Sequence, residues 1–245
     1  MSDLDQALKN LVIANRILAH QNVVDAYGHV SMRHPTNPTH FLLSRSRSPE
    51  LVTEDDIMEF TLDGKVVGND KRPPYLERFI HGSLYESRSD VHAVVHSHAE
   101  ETLPFGLTDV PLKPVIHVAS SMGATIPVWD IAEKFGSNTN LLVTNVDQGR
   151  DLATRLGKGR IALMRGHGFA AAGGTVMDVV RLSVYLPVNA RVMTAAMRLS
   201  PNFKALAPGE IEVAAAFNPK APESWRAWEY WARRAGVGER LGEMP

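Results

Sequence analysis

The sequence contains no cysteine and no long apolar run, and both absences narrow what the protein can be. Without a cysteine among its 245 residues, the chain offers no disulfide, no thiolate metal ligand and no cysteine nucleophile. No apolar stretch approaches the ~20 residues that cross a bilayer, and the N-terminus lacks the basic and apolar regions of a signal peptide. We therefore expect a cytoplasmic protein with no membrane partner.

The chain also lacks an excess of charge of either sign. Its 26 basic and 27 acidic residues give a formal net charge of −1, so we expect no broad electrostatic attraction to nucleic acid or to an acidic membrane. A hydrophobic content of 44% and a charged content of 22% are typical of a globular protein. The length suits one substantial α/β domain, which we predict to extend over residues 1–245.

A pair of histidines follows a short apolar run. Val91 to Val95 predicts a strand that delivers His96 and His98 at its end. Residues two apart on a strand project from the same face, so both imidazoles can reach one metal ion. His167 follows a second apolar run, and Glu77 lies on a predicted helix before the first strand. Three imidazoles and one carboxylate can form a catalytic metal site if one coordination position stays open.

Each of these histidines, taken singly, has an alternative role as a hydrogen-bonded residue of the core. The spacing of the pair does not decide between the two roles, and it does not identify a metal. His81 lies four residues after Glu77 on the same predicted helix, so the two side chains share one face. Two roles of His81 are left open: it can be a partner of the metal site or an ordinary core histidine.

Hydrophobic periodicity and turn residues predict the elements that carry these side chains. They are a helix over 3–21, strands over 28–33 and 41–43, a hairpin turn at Asp63-Gly64, helices over 75–87 and 148–156, a strand over 161–164, a small-residue turn over 170–174, a long helix from the cap Thr175 to 199, and an aromatic helix over about 222–236. The aromatic helix packs either on its own chain or on a neighbouring subunit.

The loop Ser44-Arg45-Ser46-Arg47-Ser48-Pro49 is small, polar and doubly basic. It can be a solvated turn. It can also be an anion site, because arginine binds carboxylate or phosphate in a two-pronged geometry and serine adds hydrogen-bond donors. The residues of the loop leave both possibilities open.

Four motifs occur together in the order that is typical of one known family. They are Gly28-x-Val30-Ser31, Glu77 on a helix, His96-x-His98 after a strand, and Gly166-His167-Gly168 after a later strand. In this order they resemble the class II aldolase/adducin family over roughly residues 5–200. The resemblance implies an α/β fold, more closely an α/β/α arrangement with a mainly antiparallel central sheet. It also implies a homotetramer with active sites at its subunit interfaces.

The same resemblance implies one divalent metal ion held by His96, His98 and His167. In the family's sugar-phosphate aldolases the residue that matches Glu77 is a metal ligand and an acid/base group. Zinc, manganese, cobalt and iron all accept such a mixed set of nitrogen and oxygen ligands, so the identity of the metal stays open.

Departures from the family's sugar-phosphate aldolases point to a different substrate. Those enzymes bind phosphate with Gly-Asn-x-Ser, a Thr-Gly loop and a Ser-Ser pair before the glutamate. His29, Arg45-Ser46 and Tyr75-Leu76 occupy these places here, and Val118 replaces a tyrosine that helps to protonate the product. The replacements argue against a phosphorylated sugar. The Gly-His-Val-Ser and Arg-Gly-His-Gly forms resemble the family's decarboxylase branch, which includes 3-hydroxy-2-methylpyridine-4,5-dicarboxylate and dihydroxyphthalate decarboxylases.

We therefore predict a metal-dependent carbon–carbon lyase that decarboxylates a hydroxylated aromatic or pyridine dicarboxylate. The metal would act as a Lewis acid, and Glu77 or a metal-bound water would protonate the carbanion. The predicted substrate-binding residues are polar or aromatic: His29, Ser31, Ser44, Arg45, Ser46, Tyr75 and Tyr230. The alternatives are an aldolase of a small unphosphorylated hydroxy-keto compound and a non-catalytic, adducin-like oligomeric binding module.

Overall fold

A seven-stranded sheet runs through the middle of the computed structural model, which describes residues 2–215 and 218–242. Its strands are β1 (His29–Arg33), β2 (His40–Ser44), β3 (Ile57–Thr61), β4 (Ala93–Ser97), β5 (Val128–Trp129), β6 (Ile161–Met164) and β7 (Gly168–Gly173). They lie in the order β3-β2-β1-β4-β7-β6-β5. Every neighbouring pair is antiparallel except β5 and β6. The mainly antiparallel sheet that the family resemblance implies is confirmed.

Helices cover both faces of this sheet. They are α1 (Asp3–His20), α2 (Arg78–Ser87), α3 (Leu103–Leu107), α4 (Ile131–Phe135), α5 (Val146–Leu156), α6 (Val176–Leu199), α7 (Pro208–Ala214) and α8 (Pro222–Arg234). Short 3-10 helices occupy Pro49–Leu51, Glu54–Asp56, Glu100–Thr102, His117–Met122 and Gly238–Arg240. Apolar side chains of α1, α6 and α8 form one core, and those of α2 and α5 form the other. The α/β/α arrangement is thus confirmed. In the described residues no helix is long and apolar enough to cross a membrane.

The alternation along β4 decides which face carries the histidines. Ala93 and Val95 belong to the core under α1 and α6, whereas Val94 belongs to the core under α2 and α5. Because side chains alternate along a strand, His96 lies on the same face as Val94. His29 pairs with His96 across β1 and β4. The sheet therefore presents both imidazoles to the side where α2 begins.

The prediction of a turn over residues 170–174 is wrong, because residues 168–173 form β7. This strand lies between β4 and β6 and is buried along its whole length. Alanine and glycine have low strand propensity, so the local pattern indicates a turn. Burial between two neighbouring strands and under helices on both faces outweighs that preference.

Two other predicted elements begin later than expected. The helix predicted from Tyr75 begins at Arg78, and β4 begins at Ala93 instead of Val91. The segment before α2 is held in place because Pro74 forms a β-bridge with Arg45. The predicted helices over 3–21, 148–156, 175–199 and 222–236 are confirmed to within two residues at each end.

Gly149 allows α5 to lie close against α2. A β-carbon at this position would come within 2.4 Å of the Phe79 carbonyl oxygen, which is far inside van der Waals contact. The close approach places the segment that leads into α5 beside the start of α2, where Val143 donates its N–H to Glu77. A glycine with no chemistry of its own therefore helps to position the carboxylate of the candidate site.

Candidate metal centre

The four predicted metal ligands converge on one point. Glu77 immediately precedes α2, His96 lies in β4, His98 follows that strand, and His167 lies in the turn between β6 and β7. Each offers one ligand atom, and these atoms all lie within 4.8 Å of one another. Segments far apart in the sequence thus bring three imidazoles and one carboxylate to a single place.

Hydrogen bonds orient the first two imidazoles. The His96 Nδ1 lies 3.0 Å from the Phe169 carbonyl oxygen, which can only accept, so Nδ1 carries the hydrogen. The His98 Nδ1 lies 3.4 Å from a carboxylate oxygen of Asp25, which likewise accepts. Burial, followed by the neighbouring imidazoles, lowers the pKa of His98, so this ring is neutral at pH 7. A ring that carries its hydrogen on Nδ1 can use its Nε2 atom to bind a metal.

These two Nε2 atoms lie only 3.0 Å apart. With the Nδ1 atoms turned to other acceptors, the two Nε2 atoms face each other, as two nitrogen ligands of one cation would. His167 adds two ring nitrogens that are buried without a hydrogen-bond partner in the described residues. Buried polar atoms normally have a partner, so this set of nitrogens fits a bound cation.

Glu77 supplies the negative charge of the site. Its Oε1 accepts the Val143 N–H at 2.9 Å, while its Oε2 lies 3.4 Å from the Nε2 atoms of His96 and His167. Burial acts to raise the pKa of the Glu77 carboxyl, but the surrounding imidazoles outweigh it and hold that pKa well below its usual range. A carboxylate and three imidazoles form a donor set that suits a divalent ion.

Next to the four ligands, a chain of hydrogen bonds links His29, His81, Ser31 and Tyr85. The His29 Nδ1 lies 2.6 Å from the His81 Nε2, and the His81 Nδ1 lies 2.6 Å from the Ser31 Oγ. That hydroxyl lies 2.7 Å from the Tyr85 hydroxyl. Burial lowers the pKa of His81 to about 3 and holds that of His29 well below its usual value, so both rings are neutral at pH 7.

Sequence reasoning missed two residues of this neighbourhood. Tyr85 follows His81 by four residues and Glu77 by eight, and this helical spacing is a signal that could have found it. Asp25 lies in an irregular segment before β1 and reaches His98 only through the fold. Ser31, predicted to bind substrate, is fully buried and its hydroxyl is shared by His81 and Tyr85.

The arginine loop after β2 is paired within the chain. The Arg45 Nε donates to the Asp56 carboxylate at 2.6 Å, and the Arg47 Nη1 donates to it at 3.0 Å. Among the predicted substrate residues of this loop, Ser44 is buried and Ser46 is exposed. The loop is thus a folded ionic cluster instead of a free, solvated turn.

Tyr75 connects this loop with the histidines. Its hydroxyl donates to the Arg47 carbonyl oxygen, and its ring centroid lies 4.5 Å from that of His29. The aromatic face of Tyr75 therefore borders the ligand cluster on the side of the loop. The structure describes no hydrogen bond that links Arg45 directly to the three histidines.

Tyr230 lies in another part of the molecule. It is 54% exposed on α8 and borders a cavity of about 640 Å³ together with His117, Arg181 and Trp231. Trp228 and Trp231 of the same helix are buried against their own chain. The subunit interface, the homotetramer and the role of Tyr230 in substrate binding stay predictions.

The family is decided by a comparison with known domains. The family described as "Class II Aldolase and Adducin N-terminal domain" matches residues 9–194. The chain belongs to the class II aldolase family. The resemblance in the motifs is thus confirmed for most of the chain.

Two relatives of this class II aldolase family member are decarboxylases by name. "Decarboxylase tropJ" of Talaromyces stipitatus is 32% identical over 251 residues, which covers 94% of each chain. The 3,4-dihydroxyphthalate decarboxylase of Arthrobacter keyseri is 27% identical over 191 residues, which covers 71% of this chain and 72% of that one. An aldolase II superfamily protein from Pseudomonas syringae has the same fold, with a TM-score of 0.80, 19% identity and coverage of 98% of each chain. These relatives support the prediction that the chain is an enzyme. Class II aldolases use a divalent metal, and the cluster of Glu77, His96, His98 and His167 could bind one.

Proposed function

We propose that this enzyme is a divalent-metal-dependent decarboxylase of a hydroxylated aromatic or pyridine dicarboxylate. The observation that carries the proposal is the cluster of Glu77, His96, His98 and His167, two buried and two half-buried, in a chain that matches a decarboxylase over nearly its whole length. The replaced phosphate-binding motifs add support, because they disfavour a phosphorylated sugar. A divalent ion, when bound there, supplies Lewis acidity that stabilises negative charge on substrate oxygens.

The protein side chains have separate tasks in this reaction. When a carboxylate leaves a ring carbon as carbon dioxide, its electron pair stays on that carbon and a proton must be supplied there. Glu77 is the buried carboxylate of the site, and only its Oε1 is held by a backbone N–H. Its Oε2 is the protein oxygen that would take up a proton from water and deliver it to the ring carbon.

Substrate orientation is the task of the groups around the ligands. The Tyr75 ring offers a flat apolar surface beside His29, which suits a planar aromatic substrate. Arg45 donates a hydrogen bond to Asp56 through its Nε, and its outer nitrogens are the groups that would bind a second carboxylate. Ser44 and Ser46 flank Arg45 and would add hydrogen-bond donors.

The experiment that tests the proposal measures two products in parallel. Purified protein is loaded with Mn²⁺, Co²⁺ or Zn²⁺ and given a panel of ortho-hydroxy aromatic dicarboxylates, and released carbon dioxide is recorded. The same protein is given hydroxy-keto compounds, and released aldehyde is recorded. We expect carbon dioxide from the first panel. Aldehyde without carbon dioxide would support an aldolase, and protein that binds no divalent ion and forms neither product would support a non-catalytic module.

A further inference from the structure

The hydrogen-bond chain from Tyr85 to His29 has only one direction in which both hydroxyl hydrogens have an acceptor. His29, Ser31, His81 and Tyr85 are each no more than 2% exposed, so water does not compete for these groups. The three bonds between them require three hydrogens. The source of each hydrogen can be assigned from the donors and acceptors that these side chains possess.

The assignment starts at the Tyr85 end. The described hydrogen bonds give the Tyr85 hydroxyl one side-chain partner, the Ser31 Oγ, so the phenol hydrogen points to Ser31. The single hydroxyl hydrogen of Ser31 then points to the His81 Nδ1. Any other arrangement leaves a buried hydroxyl hydrogen without a described acceptor, which native proteins rarely tolerate.

The same logic continues through the two imidazoles. A neutral His81 that accepts at Nδ1 carries its hydrogen on Nε2, and it donates that hydrogen to the His29 Nδ1. A neutral His29 that accepts at Nδ1 carries its own hydrogen on Nε2. No described residue accepts the hydrogen of this Nε2. The ring centroid of His29 lies 5.1 Å from that of His96, one of the candidate metal ligands. The chain therefore ends in a hydrogen-bond donor beside the candidate metal centre.

We propose that Ser31 and His81 are positioning residues that hold His29 as a fixed Nε2–H donor to an anionic or carbonyl oxygen of the substrate. The identity of that oxygen rests on the proposed function, whereas the tautomer of His29 does not. The role requires no change of charge on His29. A ring locked in this state favours an acceptor oxygen, such as a carboxylate or phenolate, over a group that must itself donate.

The first experiment reads the tautomer directly and does not depend on activity. The zinc-loaded full chain is labelled with ¹⁵N in its histidine rings, and the nitrogen shifts of His29 are assigned by their loss in His29→Gln. We expect a protonated Nε2 and an unprotonated Nδ1. The opposite tautomer for His29 would overturn the proposal whatever reaction the enzyme catalyses.

Two matched variants separate positioning from general packing. Ser31→Ala removes the donor that directs His81, so we expect the Nδ1–H form of His29 to gain population. Tyr85→Phe leaves the Ser31 hydrogen with His81 as its acceptor, so we expect the His29 tautomer to be retained. An unchanged tautomer in Ser31→Ala, or the same shift in both variants, would overturn the role of Ser31. If Ser31→Ala does not fold, His81→Gln gives the second reading, because loss of the Nε2–H preference is expected there as well.

The second experiment tests the substrate contact. His29→Ala should lower kcat for decarboxylation about 100-fold, which is the scale for the loss of one donor to a developing oxyanion. His29→Gln should recover part of this loss, because its amide can donate a hydrogen bond. Equal loss in both variants, with normal metal content and a confirmed tautomer, would refute the substrate contact while leaving decarboxylation itself established by the wild-type product.

Discussion

Two buried carboxylates, Glu77 and Asp56, differ in how many of their oxygens have a hydrogen-bond donor within the chain. Asp56 is 4% exposed and receives hydrogen bonds from Arg45, Arg47 and Thr53, so both of its oxygens have partners within the chain. Glu77 is 7% exposed, and only its Oε1 has a backbone donor. Its Oε2 faces the Nε2 atoms of His96 and His167 at 3.4 Å. A fully paired carboxylate stabilises a fold, whereas a half-paired one next to unpaired nitrogens is suited to hold a ligand.

The pKa values of the two groups do not reveal this difference. Burial acts to raise both values, and the surrounding donors and imidazoles hold both below the usual range. A low pKa therefore accompanies structural and ligand-binding carboxylates alike. The partners of each oxygen distinguish the two sites, and substitutions in each site can sharpen or break the comparison.

The largest effect is expected for His96→Ala. Loss of one ligand at the centre of the cluster should remove the bound metal and lower kcat/KM by about 1000-fold or more, because charge stabilisation in the transition state is lost. Metal stoichiometry by mass spectrometry and carbon dioxide release measure the two consequences. Full metal content in the variant would show that His96 is a core histidine.

A smaller effect is expected for Asp25→Asn, which weakens the acceptor of the His98 Nδ1–H. Residues that orient a metal ligand typically contribute 10- to 100-fold in affinity, so the metal dissociation constant should rise about that much. Competition with a chelator of known affinity measures it. Asp55→Asn is the matched control, since Asp55 is exposed in the short helix after the arginine loop. An equal change in both variants would contradict the role of Asp25.

Arg45→Ala tests whether the ionic cluster of Arg45, Arg47 and Asp56 also binds substrate. We expect KM to rise about tenfold or more, equivalent to ~1.4 kcal/mol of lost binding. Arg47→Ala removes the other arginine from the same carboxylate and serves as the control. Steady-state kinetics and urea unfolding of both variants separate binding from stability. If both variants lose stability and neither changes KM, the cluster is purely structural.

The smallest effect is expected for Asp56→Asn, and it depends on pH. The native pKa of Asp56 lies below its unfolded value of ~3.9, so the charged form stabilises the protein above that value. The variant should lose about 1 kcal/mol of unfolding free energy at pH 7. This loss should shrink as the pH falls below ~4 towards the native pKa, because Asp56 of the unfolded wild type then binds a proton that the native Asp56 does not. Urea unfolding at pH 7, 4 and 3 measures it, and a constant difference would contradict the assignment.

Local sequence information predicts four metal ligands, and the structure brings their side chains together. The alternation along the strand before His96 predicts its face and that of His98, and the glycines around His167 complete a family motif. Helical spacing likewise predicts the long helices, since their apolar stripes recur over several turns. These features depend on short stretches of chain, and the structure confirms the long helices.

Features that depend on tertiary packing were not predictable in the same way. β7 consists of small residues apart from Phe169, and its place between β4 and β6 makes it a strand. Asp25 and Val143 contact His98 and Glu77 because distant segments meet, and neither residue belongs to a recognisable motif. The pairing of Arg45 with Asp56 is likewise a product of the fold, so the loop alone leaves its role open.

The position of β7 has a consequence for the kinetics of folding. β7 pairs with β4 across a long sequence separation, and its preceding turn carries His167. Contacts of this kind form slowly because a large loop must close first. The ligand set is incomplete until β7 inserts between β4 and β6. Tight metal uptake during refolding should therefore report the closure of the sheet, and it should lag behind the formation of the helices.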